Sequence, residues 1–159
     1  YTPSVFTVLP RLLERGGRVH GGGTITAFYT VLVEGDDLND PIADNVRAIL
    51  DGHIVLTREL ANSGHFPAVD VLQSISRLMP DITSKTQQQI AREASALLNT
   101  YQKARDMVEL GAYRKGTNPE LDRAIDVLPE LNSHLQQDRD EKATLNESFS
   151  QLSKLVSRG

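Results

Sequence analysis

The sequence predicts the last part of an α/β domain followed by an all-helical domain. Up to residue 81, short apolar runs with strand-like composition alternate with short helical patterns. From residue 82 onward, apolar residues recur at three- and four-residue steps, the spacing of one buried helix face. The character changes once, with no internal repeat and no low-complexity tract, so the expected boundaries are 1–81 for the α/β portion and 82–159 for the helical domain.

Thr2 and Pro3 predict the first helix start, since Pro at the first helical position costs no hydrogen bond. Val5, Phe6, Leu9, Leu12 and Leu13 share a face, Pro10 should kink the helix, and Gly16-Gly17 should end it. His20 to Gly23 reads as a flexible loop. Thr24 to Val33 is nearly continuously apolar and rich in β-branched and aromatic residues, which predicts a buried central strand. Asp40-Pro41 is a strong helix start, with Ile42, Val46, Ile49 and Leu50 as its apolar face. His53 to Thr57 is a second strand, Thr57 to Asn62 a short helix closed by Gly64, and Pro67 to Val71 a third extended segment.

Ser84 to Leu110 predicts a long amphipathic helix with Ile90, Ala94, Leu97, Leu98, Tyr101, Ala104, Val108 and Leu110 on its stripe, ended by Gly111. Asn118-Pro119 opens another helix with Leu121, Ala124, Ile125, Leu128, Leu131 and Leu135 inward and a kink at Pro129. Thr144 to Glu147 is a capping box for the last helix, whose stripe is Leu145, Phe149, Leu152 and Val156.

With 159 residues and 39% hydrophobic composition the chain can build a core. A net charge of −4 and a pI near 5.5 lack the basic excess of a general nucleic-acid binder. The absence of cysteine excludes disulfides, thiol nucleophiles and thiolate metal sites, and fits a reducing compartment. No apolar run is long enough for a transmembrane helix. The chain opens on Tyr1-Thr2-Pro3, with neither Met nor a signal-peptide pattern, and reads as the interior of a longer protein.

Phosphate-loop, nucleophile-elbow and zinc-protease motifs are missing. Gly21-Gly22-Gly23-Thr24 lacks the lysine of a phosphate loop, and a flexible connector explains it better. His20, His53, His65 and His134 have no metal-ligand spacing and read as ordinary surface or core histidines. Asp36, Asp37, Asp40 and Asp44 miss the calcium-loop spacing and its closing glutamate, so a solvated loop plus a helix cap accounts for them.

Linear motifs carry more. Gly23 to Asp44 (GTITAFYTVLVEGDDLNDPIAD), Leu50 to Arg58 (LDGHIVLTR) and Gly64 to Arg77 (GHFPAVDVLQSISR) together resemble the flagellar and injectisome export ATPases. The opening Tyr1 to Phe6, Leu9 to Glu14, Leu110 to Gly116 and Leu135 to Gln137 extend the resemblance over nearly the whole chain. The same blocks resemble the catalytic subunit of rotary F-type ATPases more weakly. The run Asp36 to Pro41 favours the flagellar subgroup over the injectisome one.

The resemblance implies the C-terminal portion of a RecA-like P-loop ATPase core, followed by a helical C-terminal domain. The parent would be a homo-hexamer hydrolysing ATP with Mg, held mainly by residues upstream of this segment, to energise type III protein export. It implies a cytoplasmic enzyme, peripheral at the inner-membrane export gate. Its partners would be a coiled-coil stalk protein, a regulator and chaperone–substrate complexes, with no nucleic acid. Without the phosphate loop this segment alone is expected to be inactive. The alternatives are an interaction module that docks chaperone–substrate complexes without catalysis, or a fragment of a rotary ATP synthase subunit. Leu110 to Gly116 lacks the acidic tip of the latter.

Residue by residue, Arg77 matches an arginine finger, a fixed cation for the charge that builds on the γ-phosphate of a neighbouring subunit's nucleotide. On its own it reads as a surface arginine at a strand end. Phe66 matches a position where the family usually has a tyrosine stacked on adenine; the ring remains and the hydroxyl is lost. Unaided, it reads as core packing. The rotary enzymes close that pocket with aromatics after a stretch like Leu135 to Gln137; Asp138 to Leu145 has none, so the second wall is unassigned. The loop carrying Glu34, Asp36 and Asp37 matches the stalk-contact region, with a solvated connector as the competing reading.

Overall fold

The computed structural model describes residues 2–37 and 39–158, with Asp36 described by its backbone alone. The chain divides into two compact units, Tyr1–His53 and Ile54–Gly159.

In the first unit, helix α1 (Pro3–Leu13) and helix α2 (Pro41–Ile49) pack together around Leu13, Ala43 and Val46, all buried. The α1 helix continues across Pro10, and the N–H of Glu14 donates to the Pro10 carbonyl at 2.9 Å. The Asp40 carboxylate caps α2 by accepting from the N–H groups of Ile42 at 2.9 Å and Ala43 at 3.2 Å. Asp40→Ala leaves both donors without that partner and lowers the stability of this unit by about 1 kcal/mol, read as a reduced denaturant midpoint at unchanged slope.

The stretch Thr24 to Val33 differs from its expectation as a buried central strand. Only Thr24–Ile25 (β2) is paired, antiparallel to Gly17–Arg18 (β1), with His20 to Gly23 forming the connecting turn. Phe28 is 89% and Leu32 92% exposed. A central strand exists only where neighbours on both edges take its N–H and C=O groups. The described residues place no strand beside 26–33, so apolar composition alone does not make a ladder there.

In the second unit, β3 (Gly52–Leu56), whose last three residues fall here, is hydrogen-bonded to β4 (Val69–Ser76). Between them lies α3 (Arg58–Asn62), capped by the Thr57 hydroxyl, which accepts from Leu60 N–H at 3.3 Å. β4 is longer than the extended segment expected at 67–71. Val55 is buried while Ile54 and Leu56 on either side are exposed, the period-two pattern of a sheet with one face covered.

A short helix α4 (Met79–Ile82), not foreseen, leads into α5 (Lys85–Glu109). The Gln88 amide, buried, donates to the carbonyls of Pro80 at 2.9 Å and Thr83 at 3.0 Å, tying the two helices together. Ser84 and Gln87 form a capping box at the start of α5. Helices α6 (Pro119–Leu135) and α7 (Leu145–Val156) pack against α5 around Ala94, Leu97, Ala124, Val127, Leu131 and Val156. Arg123 of α6 donates to the Val156 carbonyl, closing the C-terminal end of α7. Two stripe positions are exposed to solvent. Leu110, at the cap of α5, and Leu145, the first residue of α7, are exposed because each sits at a helix end beyond its neighbours' reach.

Candidate functional site

Phe66 and Arg77 lie at opposite ends of β4. Phe66 sits in the turn before it, and Arg77 follows directly on its last residue, Ser76, at the surface. The run between them is not straight: the Asp70 carboxylate accepts from the N–H groups of Leu72 and Gln73, both at 3.0 Å, and the Ser74 hydroxyl donates to the Asp70 carbonyl at 2.6 Å, so β4 turns on itself at 70–74.

The turn bearing Phe66 is built from both sides. Gly64 takes a φ of 77°, a left-handed conformation that glycine adopts without the Cβ penalty, and this reverses the chain after α3. The His65 N–H then donates to the Leu60 carbonyl at 2.9 Å, closing the helix end. Phe66 itself keeps its ring 57% exposed, which departs from core packing, the reading its residue type suggests unaided. Its carbonyl accepts from the N–H of Gln137 at 2.9 Å, just past the end of α6.

The segment after α6 is thereby brought to the Phe66 turn, and it is polar. The Asp138 N–H donates to the Glu141 carboxylate at 3.3 Å. Glu141 N–H donates to the Asp138 carbonyl at 3.2 Å, and the Gln137 amide to the Glu141 carbonyl at 3.3 Å. These bonds fold 137–141 into a self-tied turn with no aromatic ring. On the same side, Arg105 of α5 bridges Glu59 of α3 and Glu109, at 2.5 and 2.7 Å, linking α3 to the helices.

The loop between α5 and α6 is also ordered by its own polar groups. The Tyr113 hydroxyl donates to the Asp122 carboxylate at 2.8 Å, and the other Asp122 oxygen accepts from Gly116 N–H at 2.8 Å. Burial, then the hydrogen bond to Asp122, raises the Tyr113 phenol above its ordinary pKa. Lys115 reaches Asp126 at 2.6 Å, and that hydrogen bond is the main cause of its raised pKa. Leu110 stands exposed at the base of this loop.

In the first unit, Glu34 opens a 3-10 turn, Glu34–Asp36, whose Gly35 has a φ of 64°. Asp37 is exposed, and its carboxylate accepts from Asn39 N–H at 2.9 Å, so it shapes the approach to the Asp40 cap. The side chain of Asp36, part of the same expected stalk-contact set, lies outside the described residues.

The pairing of His65 with Gln136 escaped the reading from sequence, which took His65 only as an ordinary surface or core histidine. The two residues stand 71 positions apart, in two separate motifs, and nothing in either motif points to the other. Burial of a histidine beside an exposed aromatic becomes visible only once the chain is folded.

Comparisons with known proteins match both parts of the chain. Residues 1–76 match the nucleotide-binding domain of the ATP synthase alpha/beta family, and residues 83–154 match the T3SS EscN ATPase C-terminal domain. The chain is 57% identical over 156 residues to the flagellum-specific ATP synthase of Bacillus subtilis, covering 98% of this chain and 35% of that protein. The assembled ATPase EscN of the enteropathogenic E. coli type III secretion system superposes with a TM-score of 0.93 at 44% identity, covering 98% of this chain and 38% of EscN. EscN in complex with its central stalk EscO matches with a TM-score of 0.86 at 41% identity, covering 98% of this chain and 36% of that one. The chain thus spans about a third of the length of the relatives it matches.

Proposed function

The chain belongs to the family of flagellar and type III secretion ATPases, whose C-terminal part it matches, and we propose from this premise that its full-length protein hydrolyses ATP to energise protein export. Residues 1–81 would form the end of the RecA-like core and 82–159 the helical C-terminal domain.

The observation that carries the reading is the placement of Phe66 and Arg77 at the two ends of β4. On the family resemblance, the two residues are assigned to different nucleotides. In a ring of subunits, Phe66 contacts the base bound to its own subunit, and Arg77 faces the phosphates held by the next one. A homo-hexamer satisfies this with every copy equivalent, as a closed heterologous ring requires.

ATP supplies the phosphoanhydride whose cleavage drives export, and Mg screens its phosphates. The exposed Phe66 ring on a pinned backbone fits a planar base. Mg would be held mainly by residues upstream of this segment, as the family resemblance implies. What the chain's own residues do is offer a stacking face at Phe66 and a fixed positive charge at Arg77 for the transition state.

The loop with Glu34, Asp36 and Asp37 is proposed as the stalk-facing element, on the analogy of EscN, which is solved with its central stalk EscO. The helical domain would face the export gate, the regulator and chaperone–substrate complexes. No helix of the described residues is long and apolar enough to cross a membrane.

The test is steady-state Mg-ATP hydrolysis by the full-length protein, together with the sequence of roughly the 150 residues before Tyr1. A phosphate loop there and measurable turnover support the enzyme. Their absence leaves the docking-module reading. In that enzyme, Phe66→Ala weakens ATP binding by about tenfold, the loss of one stacking face, measured by calorimetric titration.

A further inference from the structure

We infer that His65 and Gln136 are positioning residues that hold the Phe66 ring ready for the base by tying its turn to the end of α6. This rests on the reading of Phe66 as a base contact. His65 is 8% exposed, while the ring next to it in sequence is more than half exposed. The Gln136 side-chain amide donates to His65 Nδ1 at 3.3 Å, and the next residue along, Gln137, donates its N–H to the Phe66 carbonyl at 2.9 Å. Two consecutive residues after α6 thus grip two consecutive residues before β4. The His65 N–H, bonded to the Leu60 carbonyl at 2.9 Å, secures the other side.

The geometry separates anchoring from contact. His65 faces inward and takes no part in stacking. The backbone of Phe66 is held by its own carbonyl and by its neighbour, and its ring faces solvent. A platform fixed before the ligand arrives does not lose loop freedom on binding, so more of the stacking energy appears as affinity. The 137–141 turn has no ring to clamp the base from the other side. Affinity for the base therefore depends more heavily on how well the single ring is held.

The arrangement predicts a base-dependent defect. In the full-length protein, His65→Ala weakens ATP binding about fivefold, the loss of one net hydrogen bond. Binding of inorganic tripolyphosphate, which has the phosphates and no base, stays unchanged. Gln136→Ala has the same effect, and the double variant is no worse than either single one, because both remove one bond. His65→Asn, whose side-chain oxygen stands near the place of Nδ1, restores most of the affinity for ATP. Turnover at saturating ATP remains near wild type, so the change falls on KM.

Equal weakening of ATP and tripolyphosphate by both Ala variants means general disruption of the site and overturns the inference. So does undiminished ATP affinity in either one. Phe66→Ala, measured alongside, tells the two readings apart. If it weakens ATP selectively while the His65 and Gln136 variants do not, the positioning role alone fails. If it leaves ATP affinity intact, the base contact fails and the positioning role falls with it.

Discussion

Arg77→Ala in the full-length protein lowers kcat by about 10³-fold or more while nucleotide dissociation constants stay close to wild type. As γ-phosphoryl transfer proceeds, charge accumulates on oxygens that the ground state leaves partly neutralised. A guanidinium placed there gains more in the transition state than in the bound substrate, so its removal strikes kcat rather than binding. Arg77 is suited by position: it follows β4 directly and is anchored by the strand, at the surface and at the far end from Phe66. Arg77→Lys recovers little, because an ammonium is a compact point charge without the planar donor fork. Mixing Arg77→Ala subunits with subunits of the full-length protein that cannot bind nucleotide separates action in cis from action in trans. If Arg77 acts across the boundary, wild-type arginines in the second population restore turnover at sites of the first. Near-normal turnover of the Arg77→Ala protein would make the residue structural, and would overturn the assignment even with the family unchanged.

Leu131→Ala destabilises the helical unit by about 2–5 kcal/mol, the range for emptying a well-packed leucine site. Leu131 is 1% exposed and is the largest fully buried side chain, on α6 in the cluster shared with α5 and α7. The three helices are held by their own turns and caps, so the space left by three carbons closes only in part. Leu145→Ala on α7 is the internal comparison. Its side chain is exposed, and the change stays within about 0.5 kcal/mol. Urea unfolding followed by far-ultraviolet circular dichroism measures both. A Leu131→Ala cost as small as that of Leu145→Ala would mean that the helices do not pack as described.

The helices were the most legible part of the chain. Asp40 before Pro41, Asn118 before Pro119, and Thr144 three residues before Glu147 each stand where the structure starts a helix. The hydrogen bonds that begin a helix join residues two to four positions apart, so their signature is compact in sequence. Arg77 and Phe66 were legible only as parts of a linear motif. Their type and spacing indicate candidate chemistry, and the role of each remains a proposal. The second wall beside Phe66 was not legible, because the segment that reaches it, 136–141, is polar and carries none of the expected aromatics.

By itself the sequence determined most helix starts, with the caps at Asp40, Asn118 and Thr144, the change from alternating strands and helices to helices alone, and the family. All of these rest on short-range spacing or on strings of adjacent residues. Only the tertiary structure decided which apolar residues are covered. It left Phe28 and Leu32 in solvent, although their segment has the composition of a central strand. It also decided that His65 meets Gln136, and that Gln137 holds the Phe66 turn. A strand is made by partners that can lie anywhere in the chain, and a buried polar group is satisfied by whichever atom folding brings near. No local pattern encodes either one.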